Sequence, residues 1–153
     1  MYEIRAWGVG RRASAAAPQV SDAPRPTPAV YLLDLPGYGY ARASKTERAA
    51  FGRLVRYTLA RPRLAGAVWL LDVRHEPSAD DRAMQEILAE RGTRVLAALT
   101  KGDKLPRGQR LRREHELLDA LALDEDQAIL TSAKTGDGVP ELREAIGGLL
   151  QGG

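Results

Sequence analysis

Between residues 30 and 150 the chain switches repeatedly between two hydrophobic rhythms. The run Val30-Tyr31-Leu32-Leu33 leads into Asp34-Leu35-Pro36-Gly37-Tyr38-Gly39-Tyr40, which predicts a short buried strand breaking into a glycine-rich loop. Ser44-Lys45-Thr46-Glu47 has capping-box spacing, and Phe51, Leu54, Val55, Thr58 and Leu59 recur at helical intervals. A helix over 45–60 is predicted, closed by Pro62. Residues 66–73 form a continuous apolar run through Asp72, the pattern of a strand buried on both faces. Ser78 caps a second predicted helix that turns Met84, Ile87 and Leu88 inward and stops at Gly92. Residues 93–99 read as another buried strand, followed by Thr100-Lys101-Gly102-Asp103 and a helix to Leu121 with Leu111, Leu118 and Leu121 inside. The last strand covers 127–131. It runs into Ser132-Ala133-Lys134, a turn with Gly136 and Gly138, and a helix that has Pro140 in its first turn and Leu142, Ile146, Leu149 and Leu150 toward the core. Such alternation predicts an α/β fold, with parallel strands joined by helical crossovers and helices on both sheet faces.

Residues 1–29 break this pattern. Tyr2 to Val9 could form a short strand, but the following stretch holds four of the nine prolines, Pro18, Pro24, Pro26 and Pro28. No helix or central strand accepts that spacing. A mobile Pro/Ala/Arg-rich arm is expected over 1–29, ahead of one domain over 30–153. The segment lacks the uninterrupted apolar core of a secretory signal.

Composition narrows the chemistry. A chain of 153 residues, 44% hydrophobic and 28% charged, suits one globular domain, with no run long enough to span a bilayer. The absence of cysteine removes disulfides, thiolate metal sites and cysteine nucleophiles, and fits cytoplasmic residence. His75 and His115 read as surface residues. The net charge is only +3, but Arg42, Lys45, Arg48, Arg53, Arg56, Arg61 and Arg63 face a single acid, Glu47, over 42–63. Clustered positive charge of this kind favours phosphate backbones, although arginine-rich helix faces are also commonly just solvated.

In a parallel sheet the loops leaving the carboxyl ends of the strands share one edge, where ligands bind. The polar clusters fall in three such loops: Asp34-Leu35-Pro36-Gly37, Thr100-Lys101-Gly102-Asp103, and Ser132-Ala133-Lys134, the last entered from Thr131. Together with Leu71-Asp72-Val73-Arg74-His75, these motifs resemble the EngB-type ribosome-biogenesis GTPases of the TRAFAC class, including Thr100 where most GTPases have Asn. The likeness covers 30–150. It implies a three-layer αβα G domain of the P-loop NTPase type, GTP or GDP and Mg²⁺ as ligands, and a role in large-subunit ribosome assembly linked to cell division and septation. It further implies a soluble, monomeric cytoplasmic protein that would contact a ribosomal particle or rRNA through the basic stretch from Arg42 to Arg63.

The resemblance assigns roles that the side-chain chemistry supports. The Asp103 carboxylate would accept from guanine N1 and N2, donors that adenine does not offer at those positions. Lys101 would lay its stem along base and ribose, Thr100 would tie its loop to neighbours, and the Ser132-Ala133 backbone would donate to guanine O6. Asp34 would hold Mg²⁺ through water, and the Gly37 amide would face the γ-phosphate. Tyr38 stands where Ras-like proteins carry a water-orienting glutamine, so slow hydrolysis needing a partner or potassium is expected, and no catalytic residue is assigned.

No Gly-x-x-x-x-Gly-Lys-[Ser/Thr] occurs among the residues. Gly8-Val9-Gly10-Arg11-Arg12-Ala13-Ser14 lacks both the lysine and the spacing. The expectation is therefore a partial G domain without the usual first strand, phosphate loop and first switch, with residues 1–29 arising from a truncated or wrongly assigned start. Two alternatives stay open: a non-catalytic ribosome- or RNA-binding remnant, and a non-functional fragment.

Overall fold

The computed structural model describes residues 30–37 and 44–151. The predicted arm, Tyr38 and Arg42 lie outside them. The chain divides into two units, Met1–Pro36 and Gly37–Gly153.

Within the second unit, helices and strands alternate in the expected order: α1 Lys45–Leu59, β1 Ala67–Asp72, α2 Ala79–Glu90, β2 Val95–Thr100, α3 Arg107–Leu121, β3 Ala128–Leu130 and α4 Val139–Gln151. Among the described residues the strands form one parallel sheet in the order β1-β2-β3. The arrangement is three-layered α/β. The register sets Asp72 beside Thr100 and Leu99 beside Leu130, which brings the strands' carboxyl ends to a common edge. β2 is the central strand, and Leu96, Ala97, Ala98 and Leu99 are all buried. Met84, Ile87 and Leu88 of α2 and Leu117, Leu118 and Leu121 of α3 complete the core with Val55 of α1.

Local chemistry starts two helices as read. Ser44 and Ser78 each accept from the backbone N–H three residues on, while Glu47 and Asp81 reach back to the cap N–H, satisfying donors the helix leaves unpaired. Gly92, with φ of +58°, follows α2 in the left-handed conformation that ends helices.

Four expectations are corrected. Residues 30–37 form no strand, and Val30, Tyr31 and Leu32 are exposed. An apolar run becomes a strand only through ladder hydrogen bonds to a neighbour, and this one has no ladder among the described residues. β1 is not buried on both faces, because Trp69 and Leu71 are buried whereas Leu70 between them is 66% exposed. Leu111 is exposed. Near the strand ends, the inner positions of α3 are taken by arginine stems instead, and Arg113 donates through Nε to the Val73 carbonyl at 2.9 Å. Leu150 is also exposed, while Leu142, Ile146 and Leu149 are half-buried.

Candidate functional site

The site is built where β1, β2 and β3 end. β2 passes into a turn in which Lys101 takes the left-handed conformation at φ +66° and ψ +30°, followed by a single 3₁₀ turn over Gly102–Lys104. Gly102 is buried there and donates to the Thr131 carbonyl at 2.9 Å. A Cβ at Gly102 would come within 3.1 Å of the Leu130 side chain and 3.3 Å of the Thr131 carbonyl oxygen, so a larger residue would push the loop off β3. The Thr100 hydroxyl donates to the Leu71 carbonyl at 2.9 Å, tying β2 to β1. Thr131 donates through its N–H to the Leu99 carbonyl at 2.8 Å, tying β3 to β2.

Asp103 is a largely buried carboxylate of this edge. Its side chain is 11% exposed, with Oδ1 accepting from the Ser132 hydroxyl at 2.8 Å. Ser132 is fully buried. That hydrogen bond, with the positive charges of Lys104 and Lys134 adding to it, holds the Asp103 carboxyl below its ordinary value and keeps it ionised. A carboxylate has about four acceptor positions. One is used by Ser132, which leaves capacity for a two-donor partner.

The loop after β3 is shaped by two glycines. Gly136 has φ of +85° and donates to the Ser132 carbonyl at 2.8 Å. Gly138 has φ of +70°, and a Cβ placed on it would collide with the Leu130 carbonyl. The Ser132 N–H donates to the Asp137 carbonyl at 2.9 Å, so it is already engaged and cannot serve an O6 acceptor. This revises the expected pair of donors. Ala133 is exposed, and its N–H has no acceptor among the described residues.

Thr100, Lys101, Gly102, Asp103, Thr131, Ser132 and Ala133 are thus brought together at one sheet edge. Asp34, Leu35 and Pro36 belong to the other unit and, with Gly37, carry no regular structure.

One member had no role read from the sequence. Asp72, at the end of β1, accepts from Arg74 Nε at 2.9 Å and from its terminal nitrogen at 2.7 Å, and also from Lys101 Nζ at 2.8 Å. The Arg74 guanidinium first, then Lys101, holds this carboxyl well below the usual carboxylate range. The available signal was positional: Asp72 ends β1 as Thr100 ends β2.

No family model matches the chain. It is 48% identical over 120 residues to the probable GTP-binding protein EngB of Gemmatimonas aurantiaca, a match covering 78% of this chain and 59% of that protein. The protein of the same description from Exiguobacterium sibiricum is 44% identical over 119 residues, covering 76% and 62%. That from Syntrophomonas wolfei is 42% identical over 121 residues, covering 78% and 62%. The chain therefore spans 59–62% of the length of these relatives. A crystal structure described as a probable GTP-binding protein engB superposes with a TM-score of 0.64 at 17% identity, covering 77% of this chain and 75% of the other, a likeness of fold.

Proposed function

We propose that this chain, which is similar to the EngB-type GTP-binding proteins over about three-fifths of their length, binds guanine nucleotides through Asp103 and acts in ribosome assembly linked to cell division. The observation that carries this reading is the Asp103 carboxylate, fixed by the buried Ser132 hydroxyl between two adjacent strand ends. An acceptor held in this way pairs with both the N1 and N2 donors of guanine. Adenine would leave it unpaired, which is how polar sites reach large discrimination. The Ala133 N–H is the free donor for O6, and the Lys101 stem would lie along the base.

Mg²⁺ is commonly held by one carboxylate, waters and the nucleotide's own phosphates. Asp34 is the residue we assign to it, through water, with Gly37 toward the γ-phosphate. When bound, the ion would neutralise phosphate charge.

Affinity is expected to be modest. A phosphate loop supplies several charge-assisted hydrogen bonds of about 1.5–3 kcal/mol each, against about 8 kcal/mol in total for a micromolar ligand. No such motif stands in these residues. Titration of the full chain with fluorescent GDP tests the reading. A Kd of about micromolar or weaker is expected, with ADP at least about a hundredfold weaker. Asp103→Asn should weaken GDP more than about tenfold, and binding indifferent to that change overturns the assignment.

A specific feature favours a second reading, contact with rRNA. Arg48 and Arg56 are engaged by Asp80 and Glu90 of α2, whereas Arg53, Arg61 and Arg63 have no ion pair among the described residues and are exposed. Arg53 and Tyr57 are one helical turn apart on α1, Arg61 follows just past its C-cap, and Tyr57 is 72% exposed. An exposed aromatic ring in a stretch with arginines that have no ion pair suits an unpaired base and its phosphates. Binding to ribosomal RNA that weakens steeply with salt, and weakens further in Tyr57→Ala, supports it; flat salt dependence counts against it. Among the described residues no helix is long and apolar enough to cross a membrane. A cytoplasmic monomer is the setting this reading assumes.

A further inference from the structure

We infer that Asp72 is a positioning residue that holds the Lys101 side chain extended from the end of β2 toward the end of β1, ready for a nucleotide base. The inference rests on the guanine-site reading above.

Asp72 is itself immobilised before it meets Lys101. Its Oδ1 accepts from the Arg74 backbone N–H at 3.1 Å and from Arg74 Nε at 2.9 Å, while Oδ2 accepts from the Arg74 terminal nitrogen at 2.7 Å. A carboxylate gripped by a planar guanidinium at both oxygens cannot rotate freely. The Lys101 ammonium then docks on Oδ2 at 2.8 Å, and Asp72 is the register neighbour of Thr100, the residue before Lys101. The lysine stem therefore runs across the strand ends, with its side chain about half exposed.

Asp103, two residues later, is committed the other way, to Ser132 beyond β3. The left-handed backbone at Lys101 lets residues of one short loop serve opposite neighbours. Two anchors thus fix the two groups assigned to the base: the Ser132 hydroxyl orders the edge reader, Asp103, and the Asp72 carboxylate orders the stacking stem of Lys101. A free lysine loses most of its rotamer freedom when it packs on a ligand, and a clamp that has already removed that freedom lowers the cost of binding. His75 Nε2 lies 3.8 Å from the same Oδ2, beyond hydrogen-bond distance, so it does not take the place of the ammonium.

A thermodynamic cycle on the full chain tests this, with fluorescent GDP as the probe. Asp72→Asn should weaken GDP about three- to tenfold, and Lys101→Met at least as much. In the Lys101→Met background Asp72→Asn should then add less than about twofold, because the clamp has nothing left to hold. Additive losses would reveal a merely structural Asp72 and overturn the inference, as would unchanged or tighter GDP binding in Asp72→Asn. If the parent chain fails to bind GDP, the guanine reading falls, and the clamp is judged separately on the nucleotide-free protein. There the Lys101 side-chain ammonium should give a protected signal in ¹⁵N NMR that Asp72→Asn abolishes. A signal indifferent to that substitution overturns the clamp.

Discussion

Ser132 and Gly138 show how much rests on single atoms at the sheet edge. The Ser132 hydroxyl donates to Asp103 and accepts from the Thr135 N–H at 3.2 Å, so it orders both loops from a fully buried position. Ser132→Ala removes an interaction of about 1 kcal/mol and should weaken GDP roughly fivefold in the same titration. Gly138→Ala combines a positive φ with a collision against the Leu130 carbonyl. It should cost more than about 2 kcal/mol, read as a lower Tm by circular dichroism. Asp72 carries a pH signature. Its folded-state carboxyl is lowered by Arg74 and then Lys101, so its contribution is complete above the unfolded value near ~3.9 and is lost as the pH falls through the folded one. Urea melts should find Asp72→Asn less stable than the parent at pH 7, with the gap narrowing by about pH 3.

At the scale of elements, the readings that held were those with a local cause. Ser44 and Ser78 cap α1 and α2 because a hydroxyl three residues before an acid can satisfy amides the helix leaves free. Ser44→Ala should cost about 1 kcal/mol and lower the thermal midpoint correspondingly. The readings that failed depended on neighbours. Residues 30–33 have a strand's composition but no ladder. Leu70 has the composition of a doubly buried strand yet is exposed. The same holds for the basic stretch, since composition counts arginines but only packing separates Arg48 and Arg56, engaged by α2, from Arg53 and Arg61, which are not.

For the whole molecule, the proposed nucleotide binding would couple to folding. A nucleotide that binds only the folded chain stabilises it by about 2.7 kcal/mol at a concentration of a hundred times Kd. GDP at saturation should therefore raise Tm by several degrees, ADP at the same concentration should not, and Asp103→Asn should erase the difference.

The sequence by itself determined the alternation of helix and strand and placed Thr100–Asp103 and Thr131–Ala133 in loops that follow strands. These follow from residue type and spacing, which are written locally. Only the tertiary structure decided that Ser132 spends its N–H on Asp137 and its hydroxyl on Asp103, leaving Ala133 as the free donor. It alone gave Asp72 a partner, because Asp72 and Lys101 are 29 positions apart in the chain and meet only through the β1–β2 register. Hydrogen-bond partners across strands are fixed by register, and register belongs to the folded sheet rather than to any one segment.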